Sequence, residues 1–186
     1  CAEATGDTRI DNCGVLAAGS TANTDDDGYT YLTSCSSTVS GGNYVGGIVG
    51  LLDGTSRVIN CFSYANVSGG SYAGGIVGYN NVATTSAADN LKTMVINCMF
   101  YGEVSGTSIA PIYNGTNIVN KEANGVGNYN YFRLESSYVQ PTGVTYNCAL
   151  GAETRFLQRF EFYRHLLNSH RELAGWWATG TYSKDD

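Results

Sequence analysis

At 186 residues, with 42% hydrophobic and 14% charged side chains, the chain is long enough to bury a real core and too apolar to be disordered. Its 24 glycines, 14 tyrosines and shortage of Leu, Lys and Glu argue against a helical protein over most of its length, and for strands joined by tight turns. The net charge of −6, with nothing basic clustered before residue 155, argues against nucleic acid or an anionic membrane surface as partner; with no apolar run near the roughly 20 residues of a spanning helix, no membrane insertion is expected.

The chain starts at Cys1 with neither an initiator Met nor a signal segment. An excised piece of a longer protein is therefore expected, with adjacent domains of that parent as partners. A cysteine frame then runs along it. RIDNC ends at Cys13, YLTSC at Cys35, RVINC at Cys61, MVINC at Cys98 and VTYNC at Cys148, and the preceding residue is Asn12, Asn60, Asn97, Asn147 or, once, Ser34.

Between the first two of these lies NTDDDGYTY, the only acidic cluster outside the C-terminus. Asn23, Asp25, Asp27 and Gly28 follow the D-x-[DN]-x-[DN]-G opening of a calcium loop. The closing position, which should hold a bidentate Glu, is Ser34, so the stretch reads as a weak calcium site or a solvated turn. No other cofactor is expected.

After Cys35, Cys61 and Cys98 come Val39-Ser40-Gly41, Val67-Ser68-Gly69 and Val104-Ser105-Gly106, and eleven residues lead from each valine to Gly50, Gly78 and Gly115. The third copy, TSIAPIYNG in place of NYVGGIVG, is expected to have kept its length. Cysteine spacings of 22, 26 and 37 place the extra residues of the longest unit at one point, after Tyr79. Insertion at a fixed point of a unit in the twenties is the behaviour of stacked coils. Period-two alternation assigns Ile59, Cys61, Ser63, Ala65 and Val67 to the inner face of a strand, with Ile96, Cys98 and Val104 equivalent. Val58, Asn60, Phe62, Tyr64 and Asn66 then face outward. The GG of GGIVG suits sharp bends where coils approach closely. LESSY (134–138) laid on VINCF puts Ser137 in the cysteine place.

The expected fold is all-β: a parallel β-helix of about four to six coils over 1–149, followed by a helical cap or docking segment over 150–186. In that segment Phe156, Phe160, Tyr163, Leu166 and Leu167 recur at helical spacing, and Trp176 and Trp177 could plug the open end of a coil stack. His165 and His170 are five apart, the wrong spacing for a zinc-binding pair on one helix face. Equivalent cysteines in adjacent coils lie about 4.8 Å apart, beyond the usual bridge range of about 3.5–4.5 Å between Cβ atoms. A column of buried free thiols and disulfides between some coils are the two readings. The frame holds no CxxC or His for a metal. The neighbouring asparagines are expected to bond amide to amide from coil to coil.

YAGGIVGYN, VINCFSYANVSGG and VINCMFYGEVSG resemble the GLUG-motif repeat family of large surface and secreted bacterial proteins, including adhesins, over 32–115 and more weakly over 10–30. The segment 154–180 resembles one that follows such repeats in surface proteins of gut anaerobes. The resemblance implies a β-solenoid on the bacterial cell surface, extracellular, and carries no catalytic residues. The expected function is accordingly a non-catalytic stalk or adhesive module, with a host or microbial glycan or a surface protein as partner. Two alternatives stand beside it. One is a glycan-binding module using Tyr64 and Tyr101, on the outward parity of equivalent strands. The other is a fragment of a polysaccharide-degrading enzyme, supported by fold analogy alone.

Overall fold

Strands of two to six residues, separated by short bends, follow one another along the chain. The computed structural model describes residues 3–6, 8–15, 19–24, 26, 28, 30–54, 56–81, 95–115, 130–133 and 149–152. Among these residues the protein is all-β, without a helix.

The chain visits five parallel sheets in the same order on successive passes. Its middle pass runs through Arg57–Ile59, Phe62–Ser63, Asn66–Gly69, Tyr72–Gly74 and Val77–Asn80, which define the first to fifth sheets. The preceding pass lays Arg9–Asp11, Gly14–Val15, Thr38–Gly41, Tyr44–Gly46 and Val49–Leu52 on one side of these strands. The following pass lays Val95–Ile96, Met99–Phe100, Val104–Ser105, Ser108–Ala110 and Tyr113–Gly115 on the other. Glu3–Ala4 extends the fifth sheet beside Val49–Leu52, and Asn130–Arg133 and Ala149–Ala152 extend the second. Even the corners stay hydrogen-bonded between passes: Gly47 N–H donates to Gly75 O at 3.2 Å and Ile76 N–H to Ile112 O at 2.9 Å.

The sheets enclose one apolar core that takes Val58, Cys61, Val67, Ala73, Ile76 and Val77 from the middle pass, and Val95, Cys98, Phe100, Val104, Ile112 and Tyr113 from the next. Its packing is complementary in volume. Small Ser63 pairs in register with large Phe100, and Phe100 is accommodated because residue 75 is glycine. A methyl group there would run into the Phe100 ring and the Pro111 carbonyl, so the GG corner is a close approach, as expected.

Alternation holds from Cys61 through Ser63, Ala65 and Val67, all buried. It fails one step earlier. Val58 and Val95 belong to the core cluster, whereas Ile59 and Ile96 are buried outside it. Asn60 sits between at φ 52°, with Asn97 at 53° and Asn12 at 54°. A left-handed residue reverses the pleat, so parity cannot be counted through it, and Asn tolerates that conformation better than most side chains.

Register corrects the cysteine frame as well. Gly14 pairs with Phe62 and Ile10 with Val58, so RIDNC, and not YLTSC, lies beside RVINC. YLTSC belongs to Thr30–Cys35, which pairs antiparallel with Gly19–Thr24 in a separate hairpin between the second and third sheets. Between the first and third passes, extra residues thus enter at this hairpin and again after residue 81. The third copy did not keep its length. Val104 pairs with Val67 at an offset of 37, Ser108 with Tyr72 at 36, and Gly115 with Asn80 at 35. The first residue is lost at Gly106, whose φ of 151° suits only glycine; the second is lost at a register shift between Val77 and Tyr79.

Asn130, rather than Ser137, continues the cysteine column, since Tyr131 pairs with Met99. Ala149–Ala152 crosses the expected boundary at 149/150 and pairs with Asn130–Arg133. Ser137, Cys1, Cys148, His165, His170 and residues 153–186 of the segment 150–186 expected to be a helical cap lie outside the described residues.

Candidate functional site

Among the described residues, two groups of aromatic rings lie outside the main core cluster. The first lies on the second sheet. Phe62, Met99 and Tyr131 are in register across three passes, and Met99 and Tyr101 form a small buried cluster with Phe62, Tyr64 and Tyr131 packed against it. Tyr64 and Tyr101, the two tyrosines singled out from the sequence, do meet: their rings stack at 5.1 Å and 28°. Tyr101, however, is 0% exposed, and the Arg133 guanidinium lies 5.1 Å from its ring centre. Arg133 is itself buried and is ion-paired with Glu103. The arrangement joins passes through ring stacking, cation–π attraction and an ion pair, and a sugar finds no open ring face at Tyr101.

The second group was not singled out from the sequence. Tyr44 and Tyr72 are register partners on the fourth sheet, stacked at 5.7 Å and 25°. Tyr79, from the fifth sheet of the same pass as Tyr72, closes the triangle at 4.8 Å from Tyr72 and 5.4 Å from Tyr44. Tyr44 is 43% exposed, the one exposed large hydrophobic residue among those described. Polar groups stand beside the rings, where Ser71 Oγ donates to Asn43 Oδ1 at 3.3 Å. The signal was present in the sequence: each tyrosine of the pair occupies the third position before the GIVG of its motif.

Cys13, Cys61 and Cys98 are free thiols, Cys61 and Cys98 buried and Cys13 exposed. Each thiol donates to the carbonyl two residues back, Cys61 to Ile59 at 3.1 Å and Cys98 to Ile96 at 3.3 Å. Burial pushes the Cys98 thiol well above its ordinary value, and its hydrogen bond with Cys61 adds to the shift. Cys61 and Cys98 are packed as small hydrophobes, whereas Cys13 is open to solvent.

Asn23 lies in the hairpin strand Gly19–Thr24, opposite Tyr31. Asp25 and Asp27 lie outside the described residues. Among the described residues no group of His, Cys, Asp and Glu is placed to hold a metal ion, and no helix is long and apolar enough to cross a membrane.

No family model matches this chain, and neither curated proteins nor solved structures yield a match. A functional reading therefore rests on the chain's own residues and their geometry.

Proposed function

We propose that the chain is a non-catalytic segment of a bacterial cell-surface protein, built as a parallel β-solenoid of four to six coils with a helical cap, and serving as a stalk or adhesive module. One observation carries this reading. Val67 pairs with Val39, Tyr72 with Tyr44 and Val77 with Val49, a constant offset of 28 residues across three sheets. Each pass thus covers the edge of its neighbour and offers the same edge onward, so length is added along a single axis, as a stalk requires.

The surface location is supported by the likeness of the VINC and GGIVG motifs to GLUG-motif repeats of surface proteins. The non-catalytic reading is supported by the engagement of charged side chains with one another, Arg133 with Glu103 and Arg9 with Asp11 at 2.7 Å. Saccharide hydrolysis needs instead two carboxyl groups facing each other across a cleft.

Small-angle scattering of the 186-residue chain tests the architecture, and labelling of intact against lysed cells tests the location. An elongated particle and labelling without lysis are expected. A compact isotropic particle would remove the stalk reading, and labelling only after lysis would remove the surface reading.

A further inference from the structure

We propose that Tyr44, Tyr72 and Tyr79 form a binding platform for a neutral saccharide. This deepens the adhesive side of the reading above and supplies the class of ligand that the module would hold.

Three features of the wall converge on that class. The first is the rings themselves. Tyr44 stacks on Tyr72 at 25° and Tyr79 abuts both, so the open ring is that of Tyr44, 43% exposed on an edge strand and backed by the other two. The face of an aromatic ring is the negative part of its quadrupole. The C–H groups on one face of a pyranose are weakly positive and apolar, and they are complementary to it.

The second is charge. No Asp, Glu, Lys or Arg occurs in 38–52, 58–81 or 104–115, which include every described strand of the third and fourth sheets. Among the described strands of the fifth sheet the one carboxylate is Glu3, in register with Leu51 at the sheet edge. With a net charge of −6 on the chain, the wall has nothing among its described residues to attract an acidic glycan or a phosphorylated one. An uncharged ligand fits an uncharged wall.

The third is hydrogen bonding at the rim. Asn43 is exposed and already accepts from Ser71 Oγ, and the three phenolic hydroxyls add groups that donate and accept. On the next pass Ser108 takes the place of Tyr72 and Tyr44, donating to Asn114 Oδ1 at 3.3 Å. The aromatic column therefore ends in a hydroxyl and an amide. Ring faces for the C–H side of a sugar, with hydroxyls and amides at its periphery, match the two kinds of surface that a neutral saccharide presents.

The test uses ligand-observed NMR titration of the 186-residue chain with neutral oligosaccharides: hexamers of β-glucan, α-glucan, xylan, mannan and chitin. Oligogalacturonate serves as the acidic comparator. Binding of at least one neutral oligomer is expected, with about a tenfold loss in Tyr44→Ala, which removes one ring face. Tyr44→Trp retains binding and Tyr64→Ala, on the other wall, leaves it unchanged. Tyr44→Gln carries the same expectation as Tyr44→Ala and keeps the test available if the alanine variant does not fold by circular dichroism.

The proposal is overturned if no neutral oligomer binds, if the acidic one binds more tightly, if Tyr44→Ala and Tyr44→Gln bind like the parent, or if Tyr64→Ala is the variant that loses binding. Scattering and cell labelling report on the stalk independently, so failure of the platform and failure of the stalk are told apart.

Discussion

The side-chain amide of Asn97 donates to that of Asn60 at 2.5 Å, and both asparagines hold left-handed backbone at the corner between the first and second sheets. One residue type meets two needs there. It tolerates a positive φ, and it carries a donor and an acceptor that reach the equivalent residue of the neighbouring pass.

Asn97→Ala is expected to destabilise by about 2–3 kcal/mol, from a left-handed cost of about 1–2 and a lost hydrogen bond of about 1. Asn97→Gly keeps the backbone and should lose only about 1 kcal/mol. Urea denaturation of the pair separates the two effects. Equal losses would mean that the left-handed backbone costs nothing.

At the GG corner, Gly75→Ala drives a methyl group into the Pro111 carbonyl and the Phe100 ring. Overpacking against backbone that cannot yield is expected to cost about 3 kcal/mol or more. Soluble yield and thermal midpoint report it. A companion Phe100→Leu change relieves the ring contact but not the carbonyl one, and should restore little.

Ser63 is fully buried, and its hydroxyl has no hydrogen-bond partner. Removing a buried unsatisfied polar group is favourable, so Ser63→Ala should raise stability by about 1 kcal/mol. The position is expected to refuse larger side chains, because the hydroxyl already lies against Gly47, where even a Cβ would come within 2.5 Å of it. A lower denaturation midpoint for Ser63→Ala would show that the hydroxyl is satisfied in solution.

Burial raises the Cys98 thiol well above its ordinary 9.0. An acid whose pKa is higher in the folded state keeps its proton longer there than in the unfolded chain, so its contribution is full below 9.0 and is lost as pH rises beyond it. Stability should therefore fall from about pH 9 upward, and the slope should flatten in Cys98→Ala. In the native state a thiol reagent should modify exposed Cys13 and spare Cys98 until the chain unfolds. Denaturation curves from pH 7 to 10.5 and thiol counting check both statements.

Motifs that recur with their flanks intact could be read directly. VSG and GGIVG are registered between the first two passes where their likeness places them. The run from Cys61 to Val67 alternates as its side chains require. The errors came where a local signal stands in for a non-local pairing. YLTSC resembles RVINC in composition, yet it pairs antiparallel with Gly19–Thr24 inside a hairpin. A strand's own residues do not state which partner lies beside it. Alternation does not carry Ile59 onto the face of Cys61, because the positive φ of Asn60 lies between them and breaks the period of two. Asn130 matches no cysteine motif. It takes the next place in the column by accepting from Cys98 N–H at 2.8 Å and donating to Val95 O at 2.9 Å.

By itself the amino-acid order determined a strand-rich protein, its glycine corners, and the positions at which one pass can lie on the next, because these follow from side-chain volume, alternation and backbone freedom. Only the tertiary structure decided which tyrosines are open. Tyr101 and Tyr44 both lie outside the main core cluster, but Tyr101 lies between Tyr64 and Arg133 while Tyr44 is 43% exposed. Exposure is set by what neighbouring passes bring alongside, and that information resides in the register between strands rather than within any one of them.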